Sequence, residues 1–185
     1  MPQRVCPWWL GYLLASPIRR LVQDPQKVVA PYVREGMTVL EPGPGMGFFT
    51  LEIARLVGLS GRVVAVDIQP RMLSSLKRRA ARAGFLERVE TREATPKSLQ
   101  IADLASAVDF TLAFALLHEV PDPTAFFEEI AAASKRGAGL LFAEPAGHVK
   151  PADFETELKA AINAGFELAE RPVIRRTHAA FLKRA

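Results

Sequence analysis

Cysteine is almost missing from these 185 residues: Cys6 stands alone. It has no partner for an intramolecular disulfide and no companions for a thiolate metal site, and such usage fits a reducing compartment, the cytoplasm. Histidine is nearly as scarce. His118, His148 and His178 share no local ligand spacing, so no metal centre is expected, even with Glu144 considered beside His118 and His148. Tryptophan and tyrosine occur twice each. None interleaves the cationic run Lys77-Arg78-Arg79, which therefore reads as a solvated helix face and not as a stacking groove for single-stranded nucleic acid. No apolar run approaches the roughly 20 residues needed to cross a bilayer. The nearest candidate, Val5 to Ile18, is interrupted by Pro7 and Pro17, and only Arg4 supplies the positive end of a secretory leader. It reads as a retained amphipathic segment, with interfacial membrane contact as the lesser option. Repeats, low-complexity tracts and linker-like stretches are absent too, so residues 1–185 are expected to form one domain.

Half of the composition, 49%, is apolar, and from Thr38 onward it is arranged as short aliphatic runs alternating with helix-period segments. That alternation predicts a doubly wound α/β sheet of seven strands, mostly parallel, with an antiparallel last strand and helices on both faces. Strands are expected at 37–41, 62–67, 89–93, 108–114, 140–144, 166–174 and 177–182. Helices are expected at about 47–57, from Pro70 to the Gly84 stop, weakly at 97–105, from Pro123 to the glycines at 137 and 139, and at 152–163. Proline at the start of a helical pattern and glycine just past its end mark most of these boundaries. The run at 108–114 is nearly all apolar, as only a strand covered on both faces can be. Residues 1–35 are expected to be an N-terminal helical lid.

The most informative element is Glu41-Pro42-Gly43-Pro44-Gly45-Met46-Gly47, between the first strand and the first helix of the sheet. Glycines there admit backbone conformations closed to other residues and let a ligand lie against the main chain. Such a turn also serves enzymes that hold a pyrophosphate at a helix N-terminus. The acid that opens it separates the two cases. Glu41 attracts a ligand ammonium and repels a pyrophosphate, which argues against a nicotinamide-linked oxidoreductase. Asp67, ending the second strand, stands where a carboxylate takes ribose hydroxyls.

On these residues the chain resembles the seven-strand, class I S-adenosylmethionine (SAM)-dependent methyltransferases, especially those acting on small molecules. Val39 to Gly47 resembles the first motif of that family and Val64-Ala65-Val66-Asp67-Ile68 its acidic second-strand motif. The resemblance implies SAM as cofactor, with S-adenosylhomocysteine as product. It implies Glu41, Gly43, Gly45 and Gly47 around the methionine moiety, Asp67 on the ribose, and Ile68 and Met72 beside the adenine. Glu93-Ala94 stands where the family often has Asp-Ala, making Glu93 the expected acceptor for the adenine amino group. The segment Phe114 to Asp122 resembles the stretch that faces both cofactor and acceptor.

His118 follows an apolar strand at the ligand side of the sheet. It reads either as a base toward the acceptor or as a histidine that bonds backbone and shapes the pocket floor. Leu117, His148, Trp8 and Tyr12 are expected to line the acceptor site, the last two from the lid. The leading acceptor is a small molecule, because the chain is nearly all core fold. A methyltransferase acting on RNA or protein has thin support in the net charge of +4, and a SAM-binding module without turnover is the reading from a different class. No sequence feature prescribes an oligomeric state.

Overall fold

A computed structural model describes residues 23–185. Its centre is a seven-stranded sheet: β1 Thr38–Pro42, β2 Arg62–Asp67, β3 Val89–Glu93, β4 Val108–Phe114, β5 Ser134–Pro145, β6 Phe166–Glu170 and β7 Thr177–Arg184. The strand order is β3-β2-β1-β4-β5-β7-β6. Parallel ladders join β3, β2, β1, β4 and β5, while β7 runs antiparallel to both its neighbours. Among the described residues the helices are α1 Pro25–Val29, α2 Thr50–Leu56, α3 Pro70–Arg82, α4 Pro123–Ala133 and α5 Pro151–Asn163. This is the doubly wound architecture that the alternation of runs predicts.

Successive strand residues go to opposite faces, and two separate cores result. Leu40, Val64, Leu140 and Phe142 join Phe127 and Ile130 of α4 and Phe154 and Leu158 of α5. Their immediate neighbours Val39, Val63, Ala65 and Leu141 join Ile53 of α2 and Leu76 and Ala80 of α3 on the other side. A strand buried on both faces has no polar side to show, hence the unbroken apolar runs.

All of these helices except α2 open on proline, and each of those prolines follows a residue with extended backbone that suits the entry. Two have a true side-chain cap: Asp24 Oδ1 accepts from Gln26 N at 3.0 Å, and Asp122 Oδ1 accepts from Thr124 N and Ala125 N at 3.0 and 3.1 Å.

Several boundaries differ from the sequence reading, each for a physical reason. The helix expected from Gly47 begins at Thr50, because Gly43, Gly45 and Gly47 all sit at positive φ (68°, 54° and 84°), outside the helical region. The weak helix expected over 97–105 is a loop with one 3-10 turn, Ala102–Leu104. There the α4 carboxylate of Glu129 accepts from Leu99 N and Ser98 Oγ, both at 3.0 Å, and Gln100 has φ 57°, so the backbone donors are used tertiarily. Strand β5 starts six residues before the expected Leu140 and carries Gly137 and Gly139 inside it. A Cβ at Gly139 would stand 2.8 Å from the Phe181 ring, so this glycine serves strand packing and not helix termination. Strand β6 stops at Glu170 instead of Ile174, and β7 continues to Arg184.

Residues 23–35, the described part of the expected lid, pack on the sheet. Val28, Val29 and Val33 are buried, and Tyr32 stacks on Phe181 and Phe110 at 4.4 and 5.9 Å. None of them lines the cavity described next.

Candidate functional site

The sheet order reverses between β1 and β4, since β1 leads outward to β2 and β3, and β4 outward to β5. At such a switch point the loops leave in opposite directions and open a crevice at the carboxyl ends of the strands. A cavity of about 260 Å³ occupies it.

The floor is the glycine turn. Positive φ at Gly43 and Gly45 folds the chain back under the cavity, and both residues line it. Gly47 acts differently, because a Cβ there would overlap Leu76 Cδ1, and its absence lets α3 pack against the turn. Arg79 of α3 donates from Nη1 to the Met46 carbonyl and ties the turn to the same helix. Gly47 is not part of the cavity wall.

Two buried carboxylates face one another from adjacent strand ends. Glu41, 3% exposed, is pushed up to about 7 by burial, an effect that the neighbouring Thr50 reduces and the Asp67 charge increases. Its Oε2 is buried without a protein hydrogen-bond partner. Asp67 is raised to about 6, again by burial, against the backbone N–H groups of Gln69, Gly45 and Ile68. Gln69 N donates to Asp67 Oδ1 at 2.8 Å. Glu119 lies close enough to raise Asp67 further and also lines the cavity, as do Asp122 and Glu129. Among the described residues that line it, Lys97 is the only Lys or Arg, so the site is built for a ligand that brings positive charge and hydrogen-bond donors.

Of the residues expected here from sequence, Glu41, Gly43, Gly45, Asp67, Ile68, Met72, Ala94 and Phe114 are brought together around the cavity. Glu93 is not: its side chain is exposed at the end of β3, and Ala94 and Thr95 form the wall instead. Leu117 is 2% exposed and belongs to the core, while its neighbour Leu116 reaches the cavity. His118 and His148 are not part of the wall either, although His118 adjoins Glu119, which is. Trp8 and Tyr12 lie outside the described residues. The sequence reading did not single out Glu129, Phe48, Phe49 or the loop 95–99, whereas Glu119 belongs to the Phe114 to Asp122 stretch that it did place at the site. A signal for Phe48 and Phe49 did exist, as an aromatic pair directly after a glycine turn.

His118 stands on a 3-10 turn, Leu117–Glu119, just past β4. Its Nδ1 lies 2.5 Å from Oε2 of Glu144, at the end of β5, and Glu144 is fully buried. The other oxygen, Oε1, accepts from Leu116 N at 2.9 Å and Leu117 N at 2.8 Å. His148, on the exposed turn after β5, sets its ring 4.9 Å from that of His118. The Glu144 bond raises the His118 pKa above its ordinary value, partial burial opposes this, and the charges of Glu144, Glu119 and Glu157 add to the rise. Among the described residues no group of three or more His, Cys, Asp or Glu side chains is disposed to hold a metal ion.

A doubly wound sheet with an acid-lined glycine turn at its switch point defines the SAM-dependent methyltransferase class. Residues 33–178 match the family described as methyltransferase domain, and the chain belongs to that family, whose methyl donor is SAM. In sequence it is 38% identical over 71 residues to the ubiquinone/menaquinone biosynthesis C-methyltransferase of Klebsiella pneumoniae, a stretch covering 38% of this chain and 28% of that protein. In fold it matches a SAM-dependent methyltransferase from Aquifex aeolicus with a TM-score of 0.86 at 23% identity, covering 98% of this chain and 100% of that one. The Haloferax volcanii putative methyltransferase solved with the Trm112 activator matches with a TM-score of 0.73 at 16% identity, over 94% and 96% of the two chains.

The residues present fit that donor. Glu41 Oε2 is a buried acceptor lacking a donor, the lining acids complement an ammonium and a sulfonium, and Asp67 offers an acceptor for ribose hydroxyls.

Proposed function

We propose that the chain transfers the methyl group of SAM to a small-molecule acceptor in the cytoplasm. The observation that carries this reading is the buried Glu41 carboxylate at the switch point, whose Oε2 has no hydrogen-bond partner and whose neighbour at the next strand end is Asp67. Bound SAM supplies an electrophilic methyl carried on a cationic sulfur. The chain's own contribution is placement. Glu41 and the glycine turn hold the amino-acid end, Asp67 the ribose, and Ile68, Met72 and Ala94 the base. Alignment and exclusion of water then do most of the work. A small acceptor suits a chain that spends nearly all its described length on the core sheet and helices. The relative named for C-methylation in ubiquinone/menaquinone biosynthesis points the same way, although the chain spans only 28% of that protein's length. Trp8 and Tyr12 are proposed to close the acceptor side, ahead of residues 23–35, which pack on the sheet away from the cavity.

Calorimetric titration with SAM, S-adenosylhomocysteine and NADH tests this directly. Binding of both adenosyl ligands without NADH is the expected result. NADH binding alone would overturn the function and leave the fold untouched.

A further inference from the structure

Acidic residues are missing from two stretches that meet in space. Neither Pro145 to Ala152 nor Arg171 to Ala185 contains Asp or Glu. The first leaves the end of β5, the second leads into β7, and Pro145 pairs with Thr177 in the ladder between them. Ala146 N donates to the Arg176 carbonyl at 2.9 Å, so the turns 145–150 and 171–176 form one surface at the end of the sheet where the cavity lies. We infer that this surface docks on an anionic lipid bilayer, with Val173 as its apolar tip and Lys150, Arg175 and Arg176 as its headgroup contacts.

The backbone holds the tip out. Ile174 packs against the core, and its carbonyl accepts from Thr177 N at 3.1 Å and Thr177 Oγ1 at 2.8 Å. Buried Val149 pins the other turn. Val173, between Pro172 and the Ile174 anchor, is left fully exposed. A valine held wholly in water gains free energy only on entering an apolar phase. Leu86 and Leu168, also exposed, are more covered and stand beside Glu87 and Glu167.

The charges around the tip are available. Lys150, Arg175 and Arg176 are exposed and form no ion pair among the described residues. The nearby acids are mostly engaged. Glu144 is buried, Glu155 accepts from both Arg171 Nη atoms at 2.7 and 2.9 Å, and Glu170 accepts from Tyr32 Oη at 2.8 Å, while Asp153 is exposed in the first turn of α5. Cations around an apolar tip match an anionic headgroup layer lying over acyl chains. The valine selects the partner, because RNA phosphates answer the same cations but give an aliphatic tip nothing to enter.

Helix α3 supplies the contrast. Lys77, Arg78 and Arg82 are exposed on it and also form no ion pair among the described residues, but no large apolar residue of that helix is exposed with them. Docking by the turns also orients the molecule. In the sheet β7 lies two strands from β4, about 10 Å at the usual strand spacing, so the cavity's end of the sheet faces the lipid.

Sedimentation of the full chain with vesicles tests the surface, using equal parts phosphatidylglycerol and phosphatidylcholine, and phosphatidylcholine alone. One variant combines Lys150→Gln, Arg175→Gln and Arg176→Asn, the last because asparagine tolerates the φ of 59° found there. A second is Val173→Asp. A third, Lys77→Gln with Arg78→Gln and Arg82→Gln, removes the same charge from α3. Polyuridylate binding and S-adenosylhomocysteine affinity are measured alongside.

The parent is expected to bind the mixed vesicles and not phosphatidylcholine, with affinity that falls as salt rises. Each Lys or Arg near an anionic leaflet raises partitioning about fivefold, so the variant of the turns should lose about 100-fold. Val173→Asp should lose at least about tenfold and the α3 variant less than about threefold, with S-adenosylhomocysteine affinity kept in all three. Absence of vesicle binding by the parent, an equal loss in the α3 variant, or Val173→Asp binding like the parent would overturn the inference. So would polyuridylate binding that depends on the turns while vesicles are ignored, which gives the surface to RNA. A parent that binds vesicles but not S-adenosylhomocysteine would sink the function proposed above and leave this surface standing.

Discussion

Glu41 and Glu144 are the same residue type in nearly the same place, each closing a strand of one sheet and each almost wholly buried at 3% and 0% exposure. Their surroundings are opposite. Glu144 is given two backbone N–H donors and the His118 ring nitrogen by the protein, whereas Glu41 has an oxygen with none. A buried acceptor without a donor costs stability, and Glu41, unlike the other such groups among the described residues, lines the cavity where a ligand can supply the donor. One carboxylate, then, completes the scaffold, and the other lines the crevice with an oxygen that the protein leaves without a donor.

Removing the two acids tests that contrast most severely. Glu144→Ala leaves two backbone N–H groups and the His118 ring nitrogen without their partner and unties the turn after β4, and a loss of about 3–5 kcal/mol is expected from denaturant unfolding. Glu41→Gln should do the reverse to the free protein. At pH 8 it replaces a disfavoured buried charge by a neutral amide and raises the unfolding free energy, while weakening SAM. A comparable loss of stability in both variants would dissolve the distinction.

Asp67 stands on the ligand side of the comparison. Asp67→Ala removes the acceptor proposed for the ribose hydroxyls, where hydrogen bonds to a charged group contribute about 1.5–3 kcal/mol each. A decline of about 100-fold in SAM affinity is expected by calorimetry, with the fold retained in circular dichroism. Affinity unchanged within a factor of three would mean that the ribose lies elsewhere.

The open acids also set a pH dependence. Glu41 moves from 4.5 in the unfolded chain to about 7 and Asp67 from 3.8 to about 6. Both folded values are raised, so the free protein binds more protons than the unfolded chain in this range. Its stability is greatest on the acidic side and is lost as pH rises through 6 and 7. Glu41 alone accounts for a fall on the order of 2 kcal/mol between pH 5 and pH 8. Glu157, pushed up to about 7 mainly by burial, and His118, raised by Glu144, act in the same sense. SAM prefers the ionised carboxylates, so its affinity should climb over that interval. Thermal unfolding with and without S-adenosylhomocysteine checks both halves, and the slope of the free protein should flatten in Glu41→Gln.

The same contrast explains what was legible in the sequence. The ligand half of the site is local: one strand, one glycine turn and the next strand end supply Glu41, Gly43, Gly45 and Asp67, so a short motif and the resemblance it carries are enough to expect the pocket there. The scaffold half is assembled across the chain. Glu144 meets Leu116, Leu117 and His118 from more than 25 residues away, and no local pattern announces such a contact. The strands were readable because burial on both faces leaves continuous apolar runs. The segment 97–105 was not, because its backbone donors go to Glu129 of α4. Leu117, expected where its neighbour Leu116 reaches the cavity, and Glu93, expected together with Ala94 although only Ala94 joins the wall, show the limit of a reading that locates a strand end without fixing which side chain turns inward.

Glu93 supplies the smallest and cleanest test of that limit. A residue at the end of β3 points toward the crevice or away from it, and the pleat decides which. Here Ala94 and Thr95 form the wall, and Glu93 is exposed. If the acidic character of this position served the adenine, Glu93→Gln would exchange a charged acceptor for one whose oxygen or nitrogen faces the base, at a cost of about tenfold. With the side chain in solvent, SAM affinity should stay within twofold. Thr95 and Ser98, whose loop is held down by Glu129, are then the groups beside the base, and Glu129→Ala should weaken SAM more than Glu93→Gln does. The opposite order would return the adenine contact to Glu93, through a turn of β3 that brings its carboxylate inward when the ligand binds.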